Sequence, residues 1–373
     1  MSVLHPARVM DIGTLRLGLK REVEAGFVHR KRHEDGRELY VYSQRCVYDR
    51  AWNEFSLLAR GLILDDEAGV IATPFPKFFN VGENGTTIPD CPFEVFEKLD
   101  GSLVVLHYHD GQWKAATKGS FDSEQAKWAE KWLARYDLNY LNSGTTYLAE
   151  AIYPENRIVI RYTESALVML AAYREDGSEL SYEEICDVCE CIGWRPAKRH
   201  AFDSFADLAS HVATLPATSE GFVIRFENGL RRKLKGDEYR RIHAMIARCT
   251  PLALWEAMAN GDDLEAMRRE LPEEFWQDFD SIRGILAGQF AELYVRIKNT
   301  AEPLASKSDK EVGLSLGRID TDVRPFIFPY RKSGGRMDGR YAQPMFRAIR
   351  PTGNALDGYE PSSSMNRVQE EIG

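Results

Sequence analysis

The chain is short of several features that would point elsewhere. No apolar run in its 373 residues approaches the ~20 needed to span a bilayer as a helix, which argues against a membrane channel or carrier. The opening "MSVLHPARVMDIG" has no apolar leader core, so the expected location is the cytoplasm. An excess of positive charge is missing too. Lys and Arg number 48 against 57 Asp and Glu, a net charge of −9. A dedicated nucleic-acid coat is therefore excluded, and any contact with nucleic acid must come from a local patch. Cysteines number six, three of them in "CDVCEC". A closed zinc centre needs four ligands, and no second pair stands nearby. Ile185, Val188 and Cys189 fall on one helical side, which makes these thiols core residues. Repeats and low-complexity tracts are absent as well.

What is present is an ordinary globular composition, 44% hydrophobic and 28% charged, long enough for two domains. Short β-like runs dominate the first part: "LYVYS", then "GLILDDEAGVIATPF" with a polar turn at Asp66–Gly69. A hairpin over 103–109 and 113–117 turns at Asp110–Gly111. The segment "SEQAKWAEKWLARY" has helical periodicity and a cap at Ser120 or Asp122. Strands are expected at "TYLAEA", "RIVIRY" and "ALVMLAAY", helices around 180–192 and 203–213. A second hairpin joins "GFVIRF" to "LRRKLK" through Glu227–Gly229. From Asp237 the pattern is helical, with an apolar stripe of Phe275, Phe279, Ile282, Leu286, Leu293 and Ile297 that reads as a small-domain core. The expectation is α+β: residues 1–240 a mixed, largely antiparallel domain, and 241–373 a smaller helical domain ending in a basic, aromatic tail.

Certain charged residues stand where charge is costly. Lys98 and Asp100 open the first hairpin in "FEKLDGS". A lysine attacks as a nucleophile only when neutral, and its ordinary pKa of ~10.4 forbids that unless cations or desolvation lower it. Lys118, Lys233 and Lys235 are available, the last two on one face of a strand. Two lysines on a core-facing side call for an anion, and phosphate is the one that fits. Glu150 lies inside an apolar strand and Glu220 directly before another; such carboxylates need a ligand or a metal. Taken singly, each has an ordinary explanation: a solvated hairpin lysine, a strand-end ion pair, an edge-strand arginine at Arg60.

Their order gives more. "KLDGS", "TYLAEAIYP", "SEGFVI" and "KLK" resemble motifs I, III, IV and V of the covalent lysyl-nucleotidyltransferases: DNA ligases, RNA ligases and mRNA-capping guanylyltransferases. With "ARGLIL", "PFPKFFNVGE", "TKGS", "SEQA" and "NRIVIRY", the resemblance is closest to the ATP-dependent RNA ligase 1 family of T-even phages, over about residues 45 to 245. It implies an ATP-grasp-like ligase domain. Lys98 would be the nucleophile on the ATP α-phosphate, supported by Asp100, with Lys233 and Lys235 as catalytic phosphate contacts. Arg60, Lys77, Phe79, Glu97, Lys118, Glu150 and, on a looser alignment, Tyr173 would bind nucleotide. Glu220 would hold Mg²⁺ or Mn²⁺.

DNA ligases and capping enzymes continue into an OB barrel of about five strands. The helical pattern after 238 favours the phage-type RNA ligase instead. The implied substrates are ATP and RNA with 5′-phosphate and 3′-hydroxyl ends, joined through lysyl-AMP and RNA-adenylate by a monomer with no membrane partner. The alternatives are a capping guanylyltransferase and a protein that adenylylates itself at RNA ends without sealing. Between Arg324 and Arg350, seven basic residues face one acid, Asp338, with five aromatics interleaved. Arg331, Lys332, Arg336 and Arg340 are therefore candidate RNA contacts, the other reading being an arm packed back by its aromatics.

Overall fold

A computed structural model of the protein describes residues 4–65, 69–157, 159–362 and 365. The turn residues Asp66, Glu67 and Ala68 lie outside them. The chain forms two compact units, the first running to Arg241 and the second beginning at Ile242; the division falls inside the helix Asp237–Ala247.

The first unit contains three sheets. A four-stranded antiparallel sheet takes Val28–Arg32, Glu38–Tyr42, Arg60–Asp65 and Gly69–Ala72 in chain order. A five-stranded sheet has the order Arg195–Pro196, Ala166–Tyr173, Thr146–Ile152, Ser102–His109, Gln112–Thr117. Its first pair is parallel and the rest antiparallel. The third sheet orders Arg199–His200, Phe93–Glu97, Gly221–Phe226 and Arg231–Lys235, all antiparallel.

Strand alternation sorts the core into layers. Val105, Ala116, Leu148 and Ala171 meet Leu39, Val41 and Ile63 between the first two sheets. On the opposite face Val104, Leu106 and Ala149 pack against Ala129 and Leu133 of the helix Glu124–Leu133 and Ile185, Cys189 and Ile192 of the helix Tyr182–Ile192. Cys189 is buried as expected, whereas Cys191 is exposed and Cys186 half-buried. Asp110 and Gly111 both take positive φ, 49° and 76°, the mirror-image turn that matches the twist of a two-residue hairpin.

Two local expectations are corrected. The helix cap is Ser123, whose hydroxyl accepts from Ala126 N, rather than Ser120 or Asp122. "RIVIRY" forms no strand among its described residues. The amides of Val159 and Ile160 instead donate to the Asp100 carboxylate, so they are committed outside a sheet ladder.

The second unit is built on the helix Trp276–Ala301. Phe275, Phe279, Ile282, Leu286, Leu293 and Ile297 are all buried. The stretch read as a tail is a packed part of this unit. It forms helices at Ile327–Lys332 and Ala342–Ala348, and Phe326, Ile327, Tyr330 and Met345 join Leu293 and Ile297 in one core. Arg331 donates to the carbonyls of Leu304 and Lys307 and pairs with Asp309 at 3.1 Å. Lys332, Arg336 and Arg340 are exposed. The buried Asp278 accepts from Tyr359 Oη, Ser362 N and Ser362 Oγ, pinning the later segment to the long helix.

Two histidines of the first unit are buried in the neutral form. Burial lowers His5 to about 4; burial and then the neighbouring Arg37 lower His107 to about 3. His5 Nε2 donates to Pro74 O at 2.7 Å, and His107 Nε2 accepts from Arg37 Nη1 at 2.6 Å. The unfolded chain protonates both near 6.5, so it binds more protons than the folded one below that pH. Stability is thus whole above pH 6.5 and declines toward pH 4, by up to about 1.4 kcal/mol per pH unit per histidine. Urea unfolding at pH 7, 6 and 5 measures this, and His107→Asn should flatten the slope.

Candidate active site

The site begins with backbone placement. Lys98 follows the strand Phe93–Glu97, and its N–H donates to Gly221 O at 2.9 Å. This puts Lys98 beside Glu220 on the neighbouring strand connection. Gly221 has φ +137°, and a Cβ there would lie 2.1 Å from Leu234 O, so only glycine permits the register. Gly101 is constrained the same way: its Cβ would lie 2.4 Å from Ala151 O. Its N–H donates to Glu150 Oε1 at 3.1 Å. The close approach at Gly101 is therefore to the strand carrying Glu150.

Glu220 is the centre of charge. Its Oε1 pairs with Lys98 Nζ at 2.6 Å and with Lys235 Nζ at 2.9 Å, while its side chain is 2% exposed. Oε2 is buried with no hydrogen-bond partner. Asp100 stands apart from this pairing. Its Oδ2 accepts from Val159 N and Ile160 N at 2.8 and 2.7 Å, and its Oδ1 from Tyr239 Oη at 2.8 Å. The Asp100 N–H donates to Tyr162 Oη. Asp100 thereby anchors the loop that bears Lys98.

The structure brings together the cations that the resemblance grouped. The segment carrying Lys77 and Phe79 runs beside the strand Arg231–Lys235, with Lys233 N donating to Phe79 O and Val81 N to Lys233 O. Gly61, at φ +97°, passes within van der Waals reach of Lys118 backbone, which brings Arg60 to the same place. Lys233 Nζ and the Arg60 guanidinium lie over the Phe78 ring at 5.3 and 5.6 Å. Burial first, then Lys77, Lys98, Arg60 and Lys235, hold the Lys233 amine well below the usual lysine range. Arg60 Nη1 is buried without a partner.

Tyr42 was missed in the sequence. Lys77 Nζ lies 5.0 Å and Lys118 Nζ 5.6 Å from its ring centroid. Burial pushes its hydroxyl up, but Lys118, Lys77 and Arg60 outweigh that and leave it below the ordinary tyrosine value. Tyr162, Tyr239 and Trp52 were missed likewise; Tyr162 closes the segment "NRIVIRY" and Tyr239 follows "KLK" by four residues, but no spacing marks what any of the three faces.

Two nucleotide-binding candidates are not brought to the cluster. Tyr173 is buried among His5, Phe75 and Arg231, with no ring face left for a base. Its place on the sheet turns it into the layer between sheets. Glu97 accepts from Lys198 N at 2.8 Å and pairs with Arg195 at 3.2 Å, because alternation sends it to the side opposite Lys98.

Two buried, unpartnered polar atoms of opposite character, Glu220 Oε2 and Arg60 Nη1, thus share a lysine-rich cluster. Such a site is made for a polyanion and its counter-cation. Residues 58–240 match the sequence model of a family described as RNA ligase. Over these residues the chain is similar to the T4 RNA ligase 1 family. The RNA ligase of Rhodothermus phage RM378 is 28% identical over 193 residues, 39% of this chain and 43% of that protein. The aligned part spans a third to a half of the curated relatives it matches. An archaeal ATP-dependent RNA ligase shares the fold in two forms. Form 1 has a TM-score of 0.52 at 15% identity, over 75% of this chain and 83% of that one. Form 2 has a TM-score of 0.50 at 15% identity, over 97% and 98%.

No three His, Cys, Asp or Glu side chains converge among the described residues. A divalent cation here would take its protein ligand from Glu220 Oε2 and the rest from phosphate and water, the usual manner of Mg²⁺.

The depressed amine of Lys233 has a measurable consequence. An anion in the cluster opposes the field of Lys77, Lys98, Arg60 and Lys235, raising the Lys233 pKa, so binding should draw a proton from solution and weaken as pH rises. Titration calorimetry with inorganic tripolyphosphate at pH 8, in Tris and in HEPES, should show up to about one proton taken up. Lys233→Arg, always charged, should show none. Identical heats in both buffers for the unaltered protein would contradict this account.

Proposed function

We propose that the protein is an ATP-dependent RNA ligase joining 5′-phosphate and 3′-hydroxyl RNA ends. The observation that carries this reading is Lys98 paired with Glu220, which also pairs with Lys235, inside a cation cluster on the family's motif frame. Lys98 Nζ, once its proton is released, attacks the ATP α-phosphate. A P–N bond forms, the P–O bond to pyrophosphate breaks, and lysyl-AMP remains. The RNA 5′-phosphate then displaces Lys98 to give RNA-adenylate. Finally the 3′-hydroxyl attacks, the phosphodiester forms and AMP leaves.

Each side chain has a physical task in that sequence. Glu220 orients Lys98 and, when Lys98 becomes a neutral phosphoramidate, keeps its pair with Lys235. Lys235 and Lys233 face the phosphate at which bonds change, and Arg60 offers it a donor that nothing else engages. Lys77 and Lys118 neutralise the departing pyrophosphate. Asp100 holds the loop so that Lys98 starts in attack position, the main contribution a protein makes to phosphoryl transfer. A divalent cation at Glu220 supplies further charge neutralisation when bound.

Incubation with α-labelled ATP should label the protein, and GTP should not; the reverse would point to a capping-type enzyme. Lys98→Ala should lower labelling by about a thousandfold or more while leaving the melting temperature in place. Lys98→Arg should fail as well, since its guanidinium stays protonated. Labelled protein that leaves a 5′-phosphorylated RNA unsealed would contradict the ligase reading.

A further inference from the structure

A cavity of about 400 Å³ opens next to the cluster, lined by Val47, Arg50, Trp52 and Lys77 on one side and the turn Gly82–Gly85 on the other. Lys77, Gly82 and Glu83 of its lining lie in the segment "PFPKFFNVGE", while Val47 and Arg50 lie outside every motif. Lys77 belongs to both places. Its ammonium lies 5.0 Å from the Tyr42 ring, 5.3 Å from Trp52 and 5.7 Å from Phe79. Trp52 meets Tyr42 and Phe79 edge to face, at 5.1 and 5.4 Å, so an aromatic wall divides the cluster from the cavity.

The lining has a definite chemistry. Arg50 is exposed and forms no ion pair among the described residues. It takes φ +52°, a conformation uncommon for a long side chain and often kept where function needs it. The one acid in the lining, Glu83, is spent locally: its Oε2 accepts from Asn80 N and Nδ2 at 2.9 and 2.7 Å. Two cations and an indole wall suit one nucleotide, phosphate on the cations and base against the indole. The volume falls in the usual range for a small-ligand site.

We propose that this cavity seats the terminal nucleotide of the 5′-phosphate strand, with Lys77 and Arg50 on its phosphates and Trp52 against its base. The proposal rests on the RNA ligase reading. Lys77, shared by both places, first faces the pyrophosphate and then the incoming strand end, which places the strand where the leaving group has just departed.

Arg50→Gly accepts the positive φ, Arg50→Asn tolerates it, and Arg50→Glu reverses the charge. Three measurements separate the outcomes: self-adenylylation from ATP, fluorescence-anisotropy affinity for a 5′-phosphorylated RNA 12-mer, and sealing of pre-adenylylated RNA. Adenylylation should stay within about twofold. RNA affinity and sealing should fall about tenfold in Arg50→Gly and Arg50→Asn and further in Arg50→Glu, with about 0.7 unit lost from the log–log salt slope. Adenylylation falling in step with sealing would assign the cavity to the ATP tail and overturn the proposal. Unchanged affinity and slope in all three variants would overturn it too. Failure of the unaltered protein to label with ATP would sink the ligase reading, while the affinity comparison would still judge the cavity.

Discussion

One buried carboxylate, Glu220, accepts two lysines on a single oxygen and leaves the other oxygen unpaired. Around it Lys98, Lys233, Lys235, Lys77 and Arg60 come together with too little negative charge to balance them. In a low-dielectric setting like charges repel strongly, so the cluster is not a stabilising feature in itself. Its cost is visible in the depressed Lys233 amine and in the Tyr42 hydroxyl pulled below its ordinary value. Burial leads the Lys233 shift and the surrounding positive field adds to it, whereas at Tyr42 that field outweighs burial. A polyphosphate bound there would oppose that field and relieve the electrostatic strain.

The sheets exist, functionally, to hold that strain in place. Lys98 and Glu220 flank adjacent strands of one sheet, Glu150 comes from a second and Arg60 from a third. No helix dipole or flexible loop could keep five cations together; backbone ladders and packed layers can. Gly221 and Gly101 are required because the chains pass too closely for a Cβ. Asp100 contributes by anchoring: its oxygens are satisfied by two amides and a tyrosine hydroxyl, fixing the loop beside the nucleophile.

The second unit shows how composition misleads. Arginines and aromatics interleaved along a Gly- and Pro-rich stretch suggest an extended nucleic-acid arm. The alternation instead reflects short helices, with Phe326 and Tyr330 turned inward and Arg331 capping carbonyls of a preceding turn. The same residue types serve packing or recognition depending on which face they take.

Most strands and helices of the first unit and the helical stripe of the second were legible in the sequence through periodicity, a local property of the chain. The charges set in apolar strands drew notice there too, but the ordered set of Lys98, Glu150, Glu220, Lys233 and Lys235 rested on the motif resemblance. What each charge faces was set by packing between elements. It turned Glu97 toward Arg195, withdrew Tyr173 into the layer between sheets, and used Val159 and Ile160 to bind Asp100 instead of a neighbouring strand. It also delivered Tyr42, Tyr239 and Trp52 to the site from distant segments. Sequence spacing sets which side of an element a residue occupies, whereas packing between elements far apart in the chain sets what lies on that side.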